Sequence, residues 1–197
     1  MADVIDFADF LIDQQHPSAE KRPWMDEKQF ILVTPTNLDE CIDVCIESGR
    51  YALDLETTGL DNRVANGRTV DTIAGACLSP DGVRGYYIPI AHVIVDRGGN
   101  RTPRPCNIPR SMLDKAFRRL IDATEAGKTV AVFHNGKFDQ EFLQFHGGVP
   151  WGEWDRPSVW DDTMILAYLG NSRKRDKRLK SLSKELLGIE QVELKEL

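Results

Sequence analysis

The sequence lacks the features that mark zinc-binding, secreted or membrane-spanning proteins. It has four cysteines (Cys41, Cys45, Cys77 and Cys106) but no Cys-x-x-Cys pair, so no zinc site is indicated. No stretch approaches the roughly 18–20 consecutive apolar residues that a membrane helix needs. The first ten residues are acidic and lack the cationic start of a secretory signal. We therefore expect a protein of the reducing cytoplasm with no membrane partner.

The chain also lacks a surplus of cations, because 25 lysines and arginines stand against 31 aspartates and glutamates, for a net charge of −6. This balance excludes a generic polyanion binder that relies on a basic surface, so any nucleic acid would have to be attracted by a local site. The 197 residues, 41% of them hydrophobic, suffice for one domain with a real core. We divide the chain into an N-terminal helix with its linker, 1–28, and a main domain, 29–197.

The main domain is organised around a strand-like stretch at Tyr51–Asp61, which reads YALDLETTGLD. Its carboxylates Asp54 and Glu56 are two residues apart, so in a strand they project from the same face of the sheet. Neighbouring like charges repel, and a cation between them removes the repulsion; ligands that are all oxygen suit Mg²⁺ or Mn²⁺. An isolated Asp-x-Glu pair is more often a solvated strand end. The tight polar turn that follows, Thr57–Leu60, favours a site because it lets another backbone approach closely.

Residues 53–60, LDLETTGL, resemble the first exonuclease motif of the DEDD (ribonuclease H-like) 3′→5′ exonucleases. They are most similar to the proofreading domain of DNA polymerase I-type, family A, polymerases. A second stretch, residues 133–139 (FHNGKFD), is similar to the second motif of this family, Asn-x-x-(Phe/Tyr)-Asp. An acid near a helix N-terminus, such as Asp139, can also simply complement the helix dipole. Two motifs in the family's order favour a metal site over that alternative.

The resemblance implies an α/β, ribonuclease H-like fold, in which a mixed sheet of an antiparallel meander plus parallel strands is flanked by helices. It implies that Asp54, Glu56 and Asp139 are catalytic and hold two Mg²⁺ or Mn²⁺ ions, with Asp54 bridging both. The substrate would be the 3′ end of single-stranded or frayed DNA, and a polymerase domain in the same or another chain would be a partner. The expected substrate-binding residues around these acids are Thr57, Thr58, Leu60, Asn135 and Phe138.

A further candidate for substrate binding is the basic run at 172–180, SRKRDKRLK. Such a run is usually a solvated loop, but in an acidic chain it is the best candidate for gripping phosphates. We assign that role to three of its residues: Arg173, Arg175 and Lys180. Just before the run, Asp161 and Asp162 open a helix that resembles the Asp-Thr-Met segment of polymerase I-type domains, and we expect these acids mainly to cap it.

Hydrophobic patterning predicts the other strands. They are expected at Phe30–Val33, Thr72–Leu78, Gly85–Ile90 and Thr129–Phe133. A turn at Pro80–Gly82 joins the second and third of these, which predicts an antiparallel meander. Residues 91–110 are rich in Gly, Pro and Arg and show no periodicity, so we interpret them as a long surface loop.

Three further helices are predicted from their end signals. The first should start at Asn37, with Glu40 completing a capping box, and should end at Gly49. The second should be capped by Ser111 and closed by Gly127. The last should end at Gly188.

The third motif of the family, a Tyr-x-x-x-Asp or His-x-x-x-x-Asp pattern on a later helix, is absent from the sequence. It would supply the fourth acid, and its Tyr or His would orient the attacking water. The second spacing occurs at His134 and Asp139, but these belong to the second motif. We therefore weigh three hypotheses: a proofreading-type exonuclease, a catalytically silent binding or scaffold module, and an RNA 3′-end trimming enzyme resembling ribonuclease D. Nothing in the sequence reads the ribose 2′-hydroxyl unambiguously, so the preference for DNA rests on the resemblance.

Overall fold

A computed structural model describes residues 28–61, 64–65, 68–69, 71–146, 160–173 and 175–189. The N-terminal helix predicted within residues 1–28 lies outside these ranges. The division of the chain into two regions at residue 28 therefore stays a prediction.

Ten strands and five helices cover most of the described residues. The strands are β1 (Gln29–Leu32), β2 (Tyr51–Thr57), β3 (Val64–Ala65), β4 (Arg68–Thr69), β5 (Ile73–Ser79), β6 (Arg84–Pro89), β7 (Val93–Val95), β8 (Arg101–Pro103), β9 (Ala131–Phe133) and β10 (Trp160–Asp162). The helices are α1 (Leu38–Glu47), α2 (Arg110–Glu125), α3 (Gly136–His146), α4 (Thr163–Gly170) and α5 (Leu179–Leu187). None of the helices in the described ranges combines the length and apolar character that crossing a bilayer requires.

Six of the strands form one mixed sheet in the spatial order β1-β6-β5-β2-β9-β10. β2, β5 and β6 are antiparallel neighbours, which confirms the predicted meander. β1 runs parallel to β6, β9 runs parallel to β2, and β10 runs parallel to β9. The predicted fold class, a mixed sheet flanked by helices, is therefore confirmed.

The central strand, β2, separates apolar from acidic side chains by the period of two that a strand imposes. Tyr51, Leu53 and Leu55 are buried in one core with residues of α1 and α2, whereas Asp54 and Glu56 are exposed on the other face. Each fully buried large apolar side chain contributes about 1.5–3 kcal/mol. A one-residue slip of β2 would bury the acids and expose this apolar row, so the core fixes which way the acids point.

The helix ends predicted from the sequence are confirmed in part. Gly49 and Gly127 lie just beyond α1 and α2 with φ of 72° and 68°, the left-handed region that favours glycine, as predicted. The capping box is wrong, because the Asn37 side chain instead accepts from the Thr34 N–H at 2.6 Å and donates to the Leu32 carbonyl at 3.3 Å. Asn37 thus ties the β1–α1 turn together rather than capping α1.

Two further predictions are wrong: the cap of α2 at Ser111 and the loop at residues 91–110. Pro109, in an extended conformation, is the residue that precedes α2, so Ser111 lies inside the helix and is not its cap. Residues 91–110 contain a hairpin, because β7 pairs with β8 in an antiparallel manner. Its turn is held by the Asp96 carboxylate, which accepts from two backbone N–H groups within the turn. The β-branched run of β7 was the sequence signal for this hairpin.

Candidate active site

The first two acids of the candidate site lie near the end of β2. Asp54 pairs with Cys77 and Glu56 pairs with Gly75 of β5 in the antiparallel ladder. The register then shifts between Glu56 and Thr57, so that Thr57 opposes Ile73. Such a bulge bends a strand and re-aims its side chains, and it is common beside active sites.

The third acid, Asp139, comes from the first turn of α3 and is 2% exposed. Its Oδ1 accepts a hydrogen bond of 3.1 Å from the backbone N–H of Leu55, which lies between Asp54 and Glu56 in β2. The two stretches that the sequence singles out, 84 residues apart, therefore meet at one point. The structure therefore places Asp139 against the part of β2 that carries Asp54 and Glu56.

All three acids are harder to ionise than usual, mainly because of burial. Burial raises the pKa of Asp139 to about 7, the Asp54 charge adds to that rise, and the Leu55 N–H opposes it. Although Asp54 and Glu56 remain accessible to solvent, the surrounding protein partly desolvates both side chains and raises their pKa values. The Asp54 charge raises the pKa of Glu56 further, whereas His134 lowers that of Asp54. This is the electrostatic pattern of a site in need of positive charge.

A divalent cation fits this donor set. In the described part of the chain, no lysine or arginine forms a salt bridge with Asp54, Glu56 or Asp139. As their side chains are placed, no three metal-ligating residues in the same ranges are close enough to hold one ion together. Asp54 and Glu56 are exposed and can rotate, whereas Asp139 is fixed by Leu55. Three carboxylates without a cationic partner are the kind of ligand set that Mg²⁺ or Mn²⁺ prefers.

One further acid, Asp162 at the end of β10, holds the second motif in place. Its carboxylate accepts from the N–H groups of Met164 and Ile165, which confirms that it caps α4. It also accepts from the N–H groups of Asn135 at 3.2 Å and Gly136 at 2.8 Å, at the start of α3. A single buried carboxylate therefore binds the N-termini of two helices, including the one that carries Asp139.

The acid next to Asp162 in the sequence, Asp161, has a different role. Asp161 does not cap a helix; its carboxylate lies 3.5 Å from the Arg50 guanidinium in an exposed ion pair.

The turn between β9 and α3 depends on Asn135 and Gly136. Asn135 has a φ of 63°, a left-handed conformation that asparagine tolerates better than most side chains. The next residue must be glycine, because a Cβ at Gly136 would lie 2.7 Å from the Phe133 side chain. These two residues let the chain turn sharply from β9 into α3.

The predicted substrate-binding residues around the acids fall into two groups. The hydroxyl groups of Thr57 and Thr58 are engaged within the turn: Thr57 donates to the Gly59 carbonyl at 2.7 Å, and Thr58 bonds to Asp71 at 3.2 Å. Leu60 is 85% exposed, and Asn135 is exposed as well. Phe138 is half-buried, with its ring centroid 4.9 Å from that of Phe142. Leu60 and Asn135 are therefore accessible to a ligand, whereas the threonine hydroxyls stabilise the turn and Phe138 supports the core.

His134 is a residue that the sequence reasoning passed over as part of the second motif. Its Nδ1 lies 2.8 Å from the Thr163 hydroxyl, and that hydroxyl donates to the Phe133 carbonyl at 3.1 Å. Because the hydroxyl proton is used there, the His134 Nδ1–H is the donor to Thr163. His134 and Asp54 both line a mostly apolar cavity of about 320 Å³, which also includes Ala52, Phe30 and Leu179. The site therefore contains an imidazole of fixed orientation beside its acids.

The basic residues of the run after α4 differ in their contacts and exposure. Arg178 bonds to the Asp176 carboxylate at 2.8 Å, and Lys177 lies 4.9 Å from the centre of the Tyr168 ring. Arg173 and Arg175 are exposed, as is Lys180. Leu179, at the start of α5, lines the same cavity as Asp54, so the run ends beside the candidate site.

No protein-family model and no curated protein matches this chain. Solved structures match at low identity. NrnC of Brucella melitensis is 21% identical, with a TM-score of 0.52, over 83% of this chain and 62% of NrnC. The catalytic core of RRP6 from Trypanosoma brucei is 13% identical, with a TM-score of 0.57, over 87% of this chain and 38% of that one. Escherichia coli RNase D is 19% identical, with a TM-score of 0.53, over 84% of this chain and 34% of RNase D.

These likenesses agree with the predicted ribonuclease H-like fold. The chain spans about three fifths of the length of NrnC, since 62% of NrnC is covered. RNase D is an exoribonuclease involved in structured RNA processing, and NrnC has been solved with bound Mg²⁺ and with pGG. At these identities the three structures show the fold alone, so the expected likeness to polymerase I-type proofreading domains gains no support from them.

Proposed function

We propose that this protein is a divalent-metal-dependent 3′→5′ exonuclease that trims RNA 3′ ends. The observation that carries the proposal is the hydrogen bond from the Leu55 N–H to Asp139, because it joins the two sequence motifs into one acidic site. The fold shared with RNase D and NrnC supports the same conclusion. The raised pKa of Asp139, about 7, is the electrostatic counterpart of a site that takes a cation.

Asp54, Glu56 and Asp139 would hold the Mg²⁺ or Mn²⁺. When bound, the metal supplies the Lewis acidity that makes water nucleophilic near neutral pH and stabilises the leaving 3′-oxygen. Asp139 would fix one side of the site, because the Leu55 N–H holds its carboxylate, and Asp54 and Glu56 would bind the metal from β2. Water attacks the terminal phosphorus, the bond from phosphorus to the 3′-oxygen breaks, and a nucleoside 5′-monophosphate leaves. The resemblance implies that the three acids would hold two ions.

Other residues would bind and orient the strand. Leu60 would pack against the terminal base, which favours a frayed or single-stranded end, and Asn135 would contact the strand. Arg173, Arg175 and Lys180 would attract the phosphates that follow. His134 is our candidate for orienting the attacking water, the role that the resemblance gives to a Tyr or His of the absent third motif.

RNA is proposed over DNA because RNase D acts on RNA and one NrnC structure holds pGG. A DNA 3′ end and a polymerase partner remain the expectation from the first motif alone. The metal chemistry is the same for both substrates, so only a direct comparison distinguishes them.

The test is cleavage of 5′-labelled oligonucleotides in Mg²⁺, Mn²⁺ or EDTA. The substrates are a single-stranded RNA, the DNA of the same sequence, and pGG. We expect a metal-dependent ladder that shortens from the 3′ end, faster on RNA than on DNA, and no ladder with Asp54→Ala. A folded protein that cuts none of the three contradicts the proposal, and a faster ladder on DNA restores the proofreading alternative.

A second candidate function is a catalytically silent module that binds strand ends. The observation in its favour is that, in the described ranges, no three ligating side chains are placed to hold one ion. Binding of the same oligonucleotides without cleavage in either metal would identify this function.

A further inference from the structure

The bulge at the end of β2 leaves the following turn without a regular ladder. Glu56 opposes Gly75 and Thr57 opposes Ile73, so Ala74 has no partner residue in β2. Beyond this point the two strands remain joined by backbone bonds on either side of Leu60. The Thr58 N–H donates to the Thr72 carbonyl at 2.9 Å, and the Asp71 N–H donates to the Asp61 carbonyl at 3.0 Å.

The Asp71 side chain supplies the other bonds that close this turn. Its Oδ2 accepts from the Asp61 N–H at 2.9 Å, and its Oδ1 accepts from the Thr58 hydroxyl at 3.2 Å. The Thr58 oxygen in turn accepts from the Thr72 N–H at 3.0 Å. Residues 58 and 61 are therefore both anchored to one carboxylate, and Leu60 is held between them.

Gly59 is explained by the same carboxylate. A Cβ built on Gly59 would collide with the Asp71 side chain, and its neighbours there are all atoms of that carboxylate. Gly59 does not have a positive φ, so the close approach of Asp71, and not the backbone conformation, is what favours glycine here.

Leu60 is the reason that this turn matters to a ligand. Its side chain is 85% exposed although it lies only four residues after Glu56. An exposed leucine on an unanchored turn would sample many positions, and a base stacked on it would have to order the turn first. An anchored turn presents Leu60 in one place at no such cost.

We propose that Asp71 is a positioning residue, which holds Leu60 where the terminal base of the substrate meets the acidic site. The inference rests on the proposed function, since Leu60 is assigned there to the strand end. Asp71 acts through Thr58 and Asp61 and does not itself contact the substrate. Losing its bonds loosens the turn, so the strand end binds more weakly while the acids and their chemistry stay in place.

The experiment compares Asp71→Ala with Asp71→Asn. Asparagine keeps one acceptor for the Asp61 N–H and can donate to Thr58, so it should restore the turn. We measure KM and kcat on the 5′-labelled RNA, and separately the Kd of a fluorescent RNA 3′ end in Ca²⁺. Two hydrogen bonds are worth about a factor of ten in binding, so Asp71→Ala should raise KM and Kd about tenfold and lower kcat no more than about threefold. Asp71→Asn should stay close to the wild type in all three.

Asp81→Ala is the matched control. Asp81 accepts from the Val83 and Arg84 N–H groups in the turn between β5 and β6, at the opposite end of the sheet from Glu56. Asp81 accepts two backbone hydrogen bonds and one from the Arg84 guanidinium, whereas the Asp71 side chain accepts one from a backbone N–H and one from a hydroxyl, so Asp81→Ala should cost at least as much thermal stability. KM and Kd should not change in this variant.

Gly59→Ala gives a second measurement that does not need Asp71→Ala to fold. Alanine at position 59 should weaken binding in the wild-type background, because its Cβ displaces the Asp71 carboxylate. In an Asp71→Ala background the same change should cost nothing more, which a double-mutant cycle measures directly.

Unchanged KM and Kd in Asp71→Ala, or fully additive effects of the Gly59 and Asp71 changes, would overturn the inference. Absence of cleavage by the wild type contradicts the proposed function instead, and the Kd comparison then decides the role of Asp71 on its own. A wild type that neither cleaves nor binds the strand end overturns both.

Discussion

The backbone N–H of Leu55 donates a hydrogen bond of 3.1 Å to the buried carboxylate of Asp139. Leu55 itself is buried, and it stands between two exposed acids of β2. The bond therefore sets the position of the helical acid relative to the strand acids. It offsets only part of the cost of burying a carboxylate near Asp54, since the pKa of Asp139 is still raised to about 7. The site is assembled at the expense of stability, as expected where a cation is meant to bind.

A first prediction is that Asp139 makes the metal-free protein less stable as the pH rises. The carboxyl has an ordinary pKa of 3.8 in the unfolded chain and about 7 in the folded one, so the folded protein binds this proton more tightly. Stability is therefore highest below the unfolded value and falls as the pH rises through about 7. At roughly 1.4 kcal/mol per pKa unit, the fall has an upper limit of about 4 kcal/mol. Asp139→Asn removes this contribution and should flatten the profile.

The measurement is urea unfolding in EDTA between pH 4.5 and 8.5 for the wild type, Asp139→Asn and a surface control, Asp114→Asn. The control should run parallel to the wild type. Mg²⁺ added at high pH should restore stability to the wild type more than to Asp139→Asn. Parallel profiles for the wild type and Asp139→Asn would mean that ionisation of Asp139 does not destabilise the folded protein.

The face of the acids could be predicted from the sequence, because the period of two in β2 and the burial of its apolar row leave Asp54 and Glu56 no other side. The antiparallel pairing of β5 with β6 also followed from the short turn at Pro80–Gly82. The contacts that bring the parts of the site together could not be predicted from such local patterns. Leu55 to Asp139 and Asp162 to Asn135 are contacts between residues 27 to 84 positions apart, and no local pattern records them. The capping box at Asn37 failed for a different, local reason: the side chain bonds back across the β1–α1 turn to the Leu32 carbonyl, five residues earlier.

A second prediction concerns Asp162, which serves two helix N-termini at once. Asp162→Ala leaves the N–H groups of Gly136 and Met164 without their charged acceptor, so we expect a loss of about 2–4 kcal/mol in the free energy of unfolding. Asp161→Ala is the matched control, because its exposed pair with Arg50 is worth about 0–1 kcal/mol. Urea unfolding of both variants tests this. Equal losses in the two variants would show that the α3 and α4 ends do not depend on Asp162.

A third prediction separates chemistry from folding at Asp54. Asp54→Ala should abolish metal-dependent cleavage, because a main metal ligand is lost, while the fold is retained. In EDTA its stability should equal or slightly exceed that of the wild type, since the Asp54 charge that raises the pKa of Asp139 is gone. Circular dichroism and urea unfolding, beside the cleavage assay, measure both effects, with Asp114→Ala as the control for losing a surface acid. Cleavage at the wild-type rate would refute the assignment of Asp54.

A fourth prediction concerns the binding of strand phosphates by Arg173 and Arg175. Arg173→Ala with Arg175→Ala should weaken binding of single-stranded RNA, because two exposed cations no longer displace counterions from the strand. At about 0.7 per phosphate contact, the slope of log K against log salt should become shallower by about 1.4. The control is Lys115→Ala with Lys128→Ala, which removes the same charge from exposed positions on and after α2. If both double variants change the slope equally, the run acts only through net charge; if the arginine pair alone changes it, the strand passes over the segment between α4 and α5 on its way to the acids.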